Sequence, residues 1–439
     1  MIVDSRVGRG ASGLRSISRR LLTGGAFGAL ALTLATPASA NPVGGVVASG
    51  KAAISAPSAG TLQIDQTTKI VIIDWNSFNI AADEITKFVQ PGASSVAVNR
   101  IGGNDPSQIL GSLLANGRVV LINGNGILFG KGATVNVGSL IATTSDAPDA
   151  AIASGKATFD KAGNPNAQIV NQGNITASQG GLVGLIAPSV TNSGVIAAKL
   201  GTVTLGASNV FTLDFTGDGL VSFPLAGNVV AAAIDKSGKP VEALVVNDGK
   251  ISGGTVVLTA RAAANLVTSV ISMKGEVVAT AAHQAGGNIV LDGGDNGTVN
   301  VTGSLDASSG SSGDGGSIKV TGAVTNFSGS ASAKGGSQSG NGGAIETSGH
   351  VLDVAGAKVD TSAAHGATGT WTLDPYNVTI SSAASATDTC SAGTCAPTGN
   401  NSVLNVTTLQ TALATTNVAV TTGSGGSQTG DITVASPLT

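Results

Sequence analysis

One short pattern returns along most of this chain and limits what the chain can fold into. A glycine is followed at the second and fourth positions by aliphatic residues: Gly181-Val183-Leu185, Gly201-Val203-Leu205, Gly254-Val256-Leu258, Gly287-Ile289-Leu291 and Gly316-Ile318-Val320. Two looser copies follow, Gly343-Ile345-Thr347 and Gly369-Trp371-Leu373. A second frame, Asn-x-Gly-x-Ile, occurs at Asn171-Gly173-Ile175, Asn192-Gly194-Ile196 and Asn247-Gly249-Ile251. Within each copy the apolar residues alternate, as in a strand with one face turned inward. Neighbouring copies lie roughly 20 to 30 residues apart, with one larger gap, and units that short bury a core only by stacking on one another.

Short alternating strands at regular intervals, split by Gly and Asn turns, predict an all-β chain wound as a parallel β-helix. In such a solenoid every backbone group pairs with the coil above or below. A leucine-rich repeat needs a denser Leu frame, and a β-sandwich gives antiparallel hairpins without the recurring glycine. Aromatic residues make up 3% and charged residues 11% of the chain, against 41% hydrophobic and 64 Gly. That composition invites a reading as low-complexity disorder, but the regular Val, Ile and Leu spacing opposes it over most of the length. Several interruptions are expected. Asp83 to Gln90 reads as a cap or loop excursion, and Phe211 to Pro224 as a hairpin projecting from the rod. Residues 304–316 and 328–343 read as mobile, exposed Gly/Ser loops.

Residues 1–40 read as a secretory signal. Arg6, Arg9, Arg15, Arg19 and Arg20 form the basic start, and Leu21 to Ala35 is apolar but too short for a membrane-spanning helix of about 20 residues. Ala38-Ser39-Ala40 gives a small-residue cleavage pattern, with the mature chain beginning at Asn41. A retained hydrophobic anchor is the alternative, and Ser18-Arg19-Arg20 hints at a twin-Arg signal. Without the five Arg and Asp4, the 22 bases and 25 acids fall to 17 and 24, a net charge of about −7. Only Arg100, Arg118 and Arg261 remain among the arginines. Nucleic-acid binding wants a basic stripe, which this chain lacks.

Three adjoining segments carry a family resemblance. They are VNRIGGNDPSQILG (Val98 to Gly111), LANGRVVLINGNGILFG (Leu114 to Gly130) and KGATVNVGSLIATT (Lys131 to Thr144). In this order they resemble the secretion domain of filamentous haemagglutinin-type exoproteins, which leave bacteria by two-partner secretion. The resemblance implies a right-handed β-helix capped at its N-terminus by non-coil strands, and adhesion as the function. It also implies an outer-membrane β-barrel transporter as partner, an unidentified host or cell-surface ligand, and a secreted protein that can be retained on the outer-membrane surface. The family's Asn-Pro-Asn-Gly-Ile signature stands here as Asn123, Gly124, Asn125, Gly126 and Ile127, with Gly where Pro is expected. Pro would preset the turn and Gly loosens it. Asn164-Pro165-Asn166-Ala167 looks like a second family motif but lies downstream of the first, so the two are not equated.

The boundaries follow: signal peptide 1–40, capped secretion domain 41–210, continuing Gly/Ser-rich repeats 211–370, and a further module 371–439. The last opens on WTLDPYNVTIS (Trp371 to Ser381), which resembles a segment common in long members of the class. Cys390 and Cys395 most simply form a local disulfide in an exported chain, with free or intermolecular thiols as the alternative. Thr407 to Ala414 reads as one short helix with a hydroxyl start and Leu409 and Leu413 one turn apart. The carboxyl end shows no polar cap, so a truncated member of a longer exoprotein, or a partner chain covering the edge, is expected.

No catalytic constellation emerges. His283, His350 and His365 are scattered, and Asp292, Asp295 and Asp314 sit in Gly-rich turns without the calcium nonapeptide spacing. No phosphate loop is present. Asp214 and Asp218 are the nearest carboxylate pair, and a β-helix polysaccharide enzyme is the serious enzymatic alternative. The residues assign no cofactor and no metal.

Overall fold

The computed structural model describes residues 40–214, 221–222, 229, 234, 238–260, 262, 266–282, 285–383, 401–422 and 430–438. The expected leader (save Ala40), Asp218, His283 and both cysteines, Cys390 and Cys395, lie outside the described residues.

The glycine frame folds as its alternation dictates. Each copy is a strand, and each strand pairs in parallel with the next copy, residue for residue. One inner row runs Val183, Val203, Val256, Ile289, Ile318, Ile345 and Trp371. The row beside it runs Leu185, Leu205, Leu258, Leu291, Val320, Thr347 and Leu373. All of these side chains are buried, each worth roughly 1.5–3 kcal/mol for the large aliphatics. The described chain is a parallel β-helix, as the spacing predicts. A second parallel sheet links Ser107–Ile109, Ile127–Phe129, Gln168–Asn171, Ser189–Asn192, Ala243–Asn247, Ser269–Met273, Thr298–Val301, Val324–Phe327 and Val351–Asp353.

The glycines hold their places because the coils touch there. A Cβ built on Gly194, Gly249, Gly275, Gly303 or Gly329 would fall within 3.0 Å of the carbonyl oxygen of the preceding glycine in that series. The frame glycines Gly287, Gly316, Gly343 and Gly369 form a second such column, each against its predecessor's carbonyl. Backbone cannot give way as a flexible side chain can, so glycine is dictated by close approach.

The second frame supplies a buried amide ladder. Asn171 Nδ2 donates to Asn192 Oδ1 at 2.8 Å, and Asn192 Nδ2 to Asn247 Oδ1 at 2.7 Å. Asn247 Nδ2 then meets Met273 Sδ at 3.2 Å. Buried amides are tolerated because each finds a partner. The two tryptophans lie far apart in the stack, and each buries its ring and donates its indole N–H to a polar inner residue. Trp75 gives to Asn99 Oδ1 at 3.0 Å and Trp371 to Thr347 Oγ1 at 3.1 Å.

The cap departs from the sequence reading. Antiparallel pairing confines it to Val46–Ser49 with Ile70–Trp75 and to Ala52–Ser58 with Thr61–Gln66. Ile85–Val89, expected as an excursion, is instead a coil strand paired in parallel with Thr61–Gln66 and Ser112–Ala115. Its alternation turns Thr86 and Phe88 inward and Lys87 and Val89 outward, a pattern that the charges on either side obscure. Phe211–Asp214 does pair antiparallel with Val221–Ser222, and also with Lys156–Phe159, but it does not project. With the helix Asp149–Ser154 it lies against the outer face of the coil sheet. There Phe159 stacks on Phe211 at 4.5 Å, and both pack in one cluster with Ile72, Val98, Val120, Ile122, Ile141 and Ile186.

The Gly/Ser stretches are also firmer than composition suggests. Ser304–Asp306 and Ser330–Ser332 are paired coil strands. The loops after them stack through Ser309 N–H to Lys334 O, Gly313 N–H to Ser339 O and Gly342 N–H to Ala367 O, at 2.8–2.9 Å. The late helix spans Val406–Leu413, capped by Asn405 Oδ1 on Thr407 N–H at 2.9 Å and not by a hydroxyl. Val406, Leu409 and Ala412 face inward and Leu413 is exposed, so the i,i+4 leucine pair does not form the buried stripe.

Candidate functional site

Where the strand Arg118–Asn123 ends, the chain reverses through Asn123-Gly124-Asn125-Gly126. Asn123 is fully buried. Its Oδ1 accepts from Asn125 N–H at 2.9 Å, and its carbonyl accepts from Gly126 N–H at 3.0 Å. That double closure is an Asx turn laid over a β-turn. Asn123 Nδ2 also donates to Asp105 O at 3.1 Å and Ser107 Oγ at 3.0 Å, and Asn125 Nδ2 to Gly103 O at 2.9 Å. The motif's two asparagines therefore reach back to the 103–107 loop of the coil before. The positive φ falls on Gly126 at 110°, so Gly124 sits at the second turn position with an ordinary backbone, where Pro fits. Ile127 then enters the core between Ser107 and Ile169.

The downstream lookalike proves to be a neighbour in space. Asn164 N–H donates to Gly124 O at 2.8 Å. Asn164 repeats the same closure, its Oδ1 accepting from Asn166 N–H and its carbonyl from Ala167 N–H, both at 2.9 Å. Residues 103–107, 123–126 and 164–167 thus form a tower of turns on successive coils. The geometry of Asn-x-Asn is legible locally; the stacking is not, because three coil strands and the helix-and-strand excursion separate the two turns.

A second cluster escaped the sequence reading. Arg100 holds Asp146 through Nε at 2.9 Å, Asp74 through Nη1 at 3.1 Å and Asp149 through Nη2 at 2.7 Å. Nη2 also donates to Ala147 O at 3.2 Å. Burial works against its charge, but the hydrogen bonds and charges of Asp149 and Asp146 outweigh it, so the guanidinium is held protonated beyond its ordinary range. This fork pins the start of the excursion helix to the coil sheet. The available signal was the scarcity of arginine after residue 40 and its place inside VNRIGG.

The remaining sequence candidates do not converge. Asp292 Oδ1 accepts from Gly294 N–H at 2.9 Å, which closes a turn, and Asp314 Oδ1 from Asn341 N–H at 2.7 Å, which joins its loop to that of the next coil. His350 stacks on Tyr376 at 4.2 Å, and His365 is exposed in a loop. Asp214 ends the strand Phe211–Asp214 on the excursion. Among the described residues no helix is long and apolar enough to cross a membrane.

The comparisons agree with this architecture. The TPS secretion domain family model matches residues 38–307. The chain belongs to this family, the secretion domains of exoproteins exported by two-partner secretion, whose partner is an outer-membrane transporter. It is 32% identical over 280 residues to a heme/hemopexin-binding protein of Haemophilus influenzae, covering 60% of this chain and 28% of that protein. A second heme/hemopexin-binding protein of that species is 28% identical over 282 residues, with 58% and 29% covered. The matched part of the chain therefore spans under a third of these relatives. The solved HMW1 secretion domain of H. influenzae superposes with a TM-score of 0.62 at 21% identity, covering 87% of this chain and 100% of that one, and so shares the fold.

Proposed function

We propose that the chain is an adhesin-type exoprotein that attaches to other cells without catalysis, and that its Asn123 to Ile127 turn is the segment that its transporter reads. The tower of turns carries the secretion half of this reading. It sets the family-like residues Asn123 and Asn125 at one corner of the rod, where their side chains hold main-chain atoms of the turn and of the preceding loop, and the Ser107 hydroxyl. The signal peptide, the local Cys390–Cys395 disulfide and retention on the outer-membrane surface belong to the same reading.

The secretion role is tested by comparing Asn123→Ala with Asn164→Ala in cells supplying the transporter. The two asparagines make the same turn on neighbouring coils. Secreted protein should fall several-fold for Asn123→Ala, with precursor left in the cell, and stay near the parent level for Asn164→Ala. An equal loss in both would assign the tower to folding and remove it from recognition. Attachment is tested with purified mature chain on cells: saturable binding unaffected by chelators supports it, and polysaccharide turnover abolished in Asp214→Asn would replace it with the enzymatic alternative.

A further inference from the structure

The outward face of the second sheet differs from that of the 23-stranded sheet that carries the glycine-frame strands. Elsewhere outward charges pair across coils: Lys250 with Glu276 at 2.9 Å, Lys319 with Glu346 at 3.0 Å, and Lys334 with Asp360 at 3.7 Å. On the second sheet a groove of about 820 Å³ runs along the coils instead. Its floor is one row in register, Thr191, Val246, Ser272, Asn300 and Asn326. Gln168 Nε2 donates to Ile234 O at 2.9 Å, and Ile234 bridges Pro240. Pro240 leads into Val241 and Glu242, which line the groove.

The floor offers uncharged hydrogen-bonding groups in steps of one coil. Asn326 Nδ2 donates to Asn300 Oδ1 at 2.8 Å, which fixes both amides and leaves the two N–H donors of Asn300 and the Oδ1 acceptor of Asn326 outside this bond. Thr302 and Ser328 add hydroxyls beside them, and Val241 and Val246 add an apolar patch at the other end. The coil step is about 4.8 Å, close to the length of one pyranose unit in an extended chain. Glu242 and Asp248 line the groove against a single base, Lys274, so its charge disfavours sulfated or carboxylated chains.

We propose that this groove binds a neutral, extended oligosaccharide, with pyranose units lying along successive coils and their hydroxyl or acetamido groups bonded to Ser272, Asn300 and Asn326. The assignment deepens the adhesion reading and rests on it for its use by the cell. Hydrogen bonds in a preformed polar row give specificity, and each contributes modestly, so affinity grows with chain length.

The test is calorimetric titration of the mature chain with a neutral β-1,4-linked N-acetylglucosamine hexasaccharide, its disaccharide, and a sulfated heparin hexasaccharide. The neutral hexasaccharide should bind saturably and at least tenfold more tightly than the other two. Asn300→Ala/Asn326→Ala should weaken it at least tenfold. Ser272→Trp, which fills the groove from an outward position, should abolish binding with the circular dichroism of the parent, and keeps the proposal open to refutation if the double variant misfolds. No neutral binding, preference for the sulfated chain, or unchanged binding in Ser272→Trp would overturn the groove. Cell attachment measured in parallel separates the two readings. Attachment intact in a Ser272→Trp chain that no longer binds the hexasaccharide overturns the groove's use in attachment and leaves adhesion standing through another surface. Groove binding without attachment of the parent overturns adhesion and leaves the groove.

Discussion

A single outward row shows how differently the two ends of the rod are built. Following the register, Ile72 lies beside Val98, then Val120 and Ile141. The same row continues as Gly184, Thr204, Val257, Val290, Lys319 and Glu346. Its first four members are buried beneath the helix Asp149–Ser154 and the small antiparallel sheet, so the early coils bury apolar side chains on both faces of one sheet. Gly184 and Thr204 are still buried, and from Val257 onward the row is partly or fully exposed, so the later coils rely on the inner face, the glycine columns and paired outward charges. A solenoid is approximately a sum of coil and neighbour energies. The early part of this rod therefore has a second apolar layer that the later part lacks.

The largest expected effect breaks this comparison directly. Val98→Asp places a charge between two apolar layers and should destabilise by about 4 kcal/mol or more. Val290→Asp, in the same row but outward beside Lys319, should cost under about 1 kcal/mol. Urea unfolding followed by circular dichroism measures both, and equal costs would mean that the excursion does not seal the early coils. Next comes Gly287→Ala, whose Cβ meets the Gly254 carbonyl and should cost about 1–3 kcal/mol. Gly92→Ala, with open space at the Cβ, is its control and should be near neutral.

Arg100→Ala should cost about 1–3 kcal/mol by releasing Asp146 and Asp149 of the excursion from the coil sheet. Hydrogen exchange localises the effect: amides of Lys156–Phe159 should exchange faster while those of Asn288–Asp292 stay as they were. Uniform acceleration would show that Arg100 supports the rod and not the excursion. The smallest effect concerns a strained corner. Leu200 has φ of 55°, at the position where the preceding coil has Gly180 at 75°. Leu200→Gly should raise stability by up to about 1 kcal/mol, the left-handed cost less the extra entropy of glycine. A lower thermal midpoint would mean that the Leu200 side chain contributes more by packing than its backbone costs.

The inner rows were legible because alternation and the glycine frame are local in sequence. Val183, Val203, Val256 and Ile289 announce the face they turn inward, and structure only puts them in register. The Asn123 turn was legible for the same reason. What stayed hidden depends on contacts between coils. Asp74, Arg100, Asp146 and Asp149 meet from three separate segments and obey no spacing rule. Ile85–Val89 was misread because Lys87 and the acids before it mask a regular strand. The loops around 307–316 and 333–343 were misread because their glycines look like those of a linker, whereas Gly315, Gly316, Gly340 and Gly343 each serve a close approach to the coil beside them. The outer groove has no sequence signature, since any small polar residue satisfies an outward position.

Similar coils carry a danger of their own: one repeat resembles the next closely enough to dock in its place. The Asn171–Asn192–Asn247 ladder answers that danger. A coil carrying Phe129 or Val301 at this position, docked between two of these asparagines, would offer neither donor nor acceptor to the amides on either side, and an amide left unpaired in the interior costs about 1–3 kcal/mol. Misordered stacks are penalised where aliphatic rows alone would accept them, so the three asparagines act as a key cut for one order of assembly. In a stack of such similar units, a key of this kind makes correct winding self-checking.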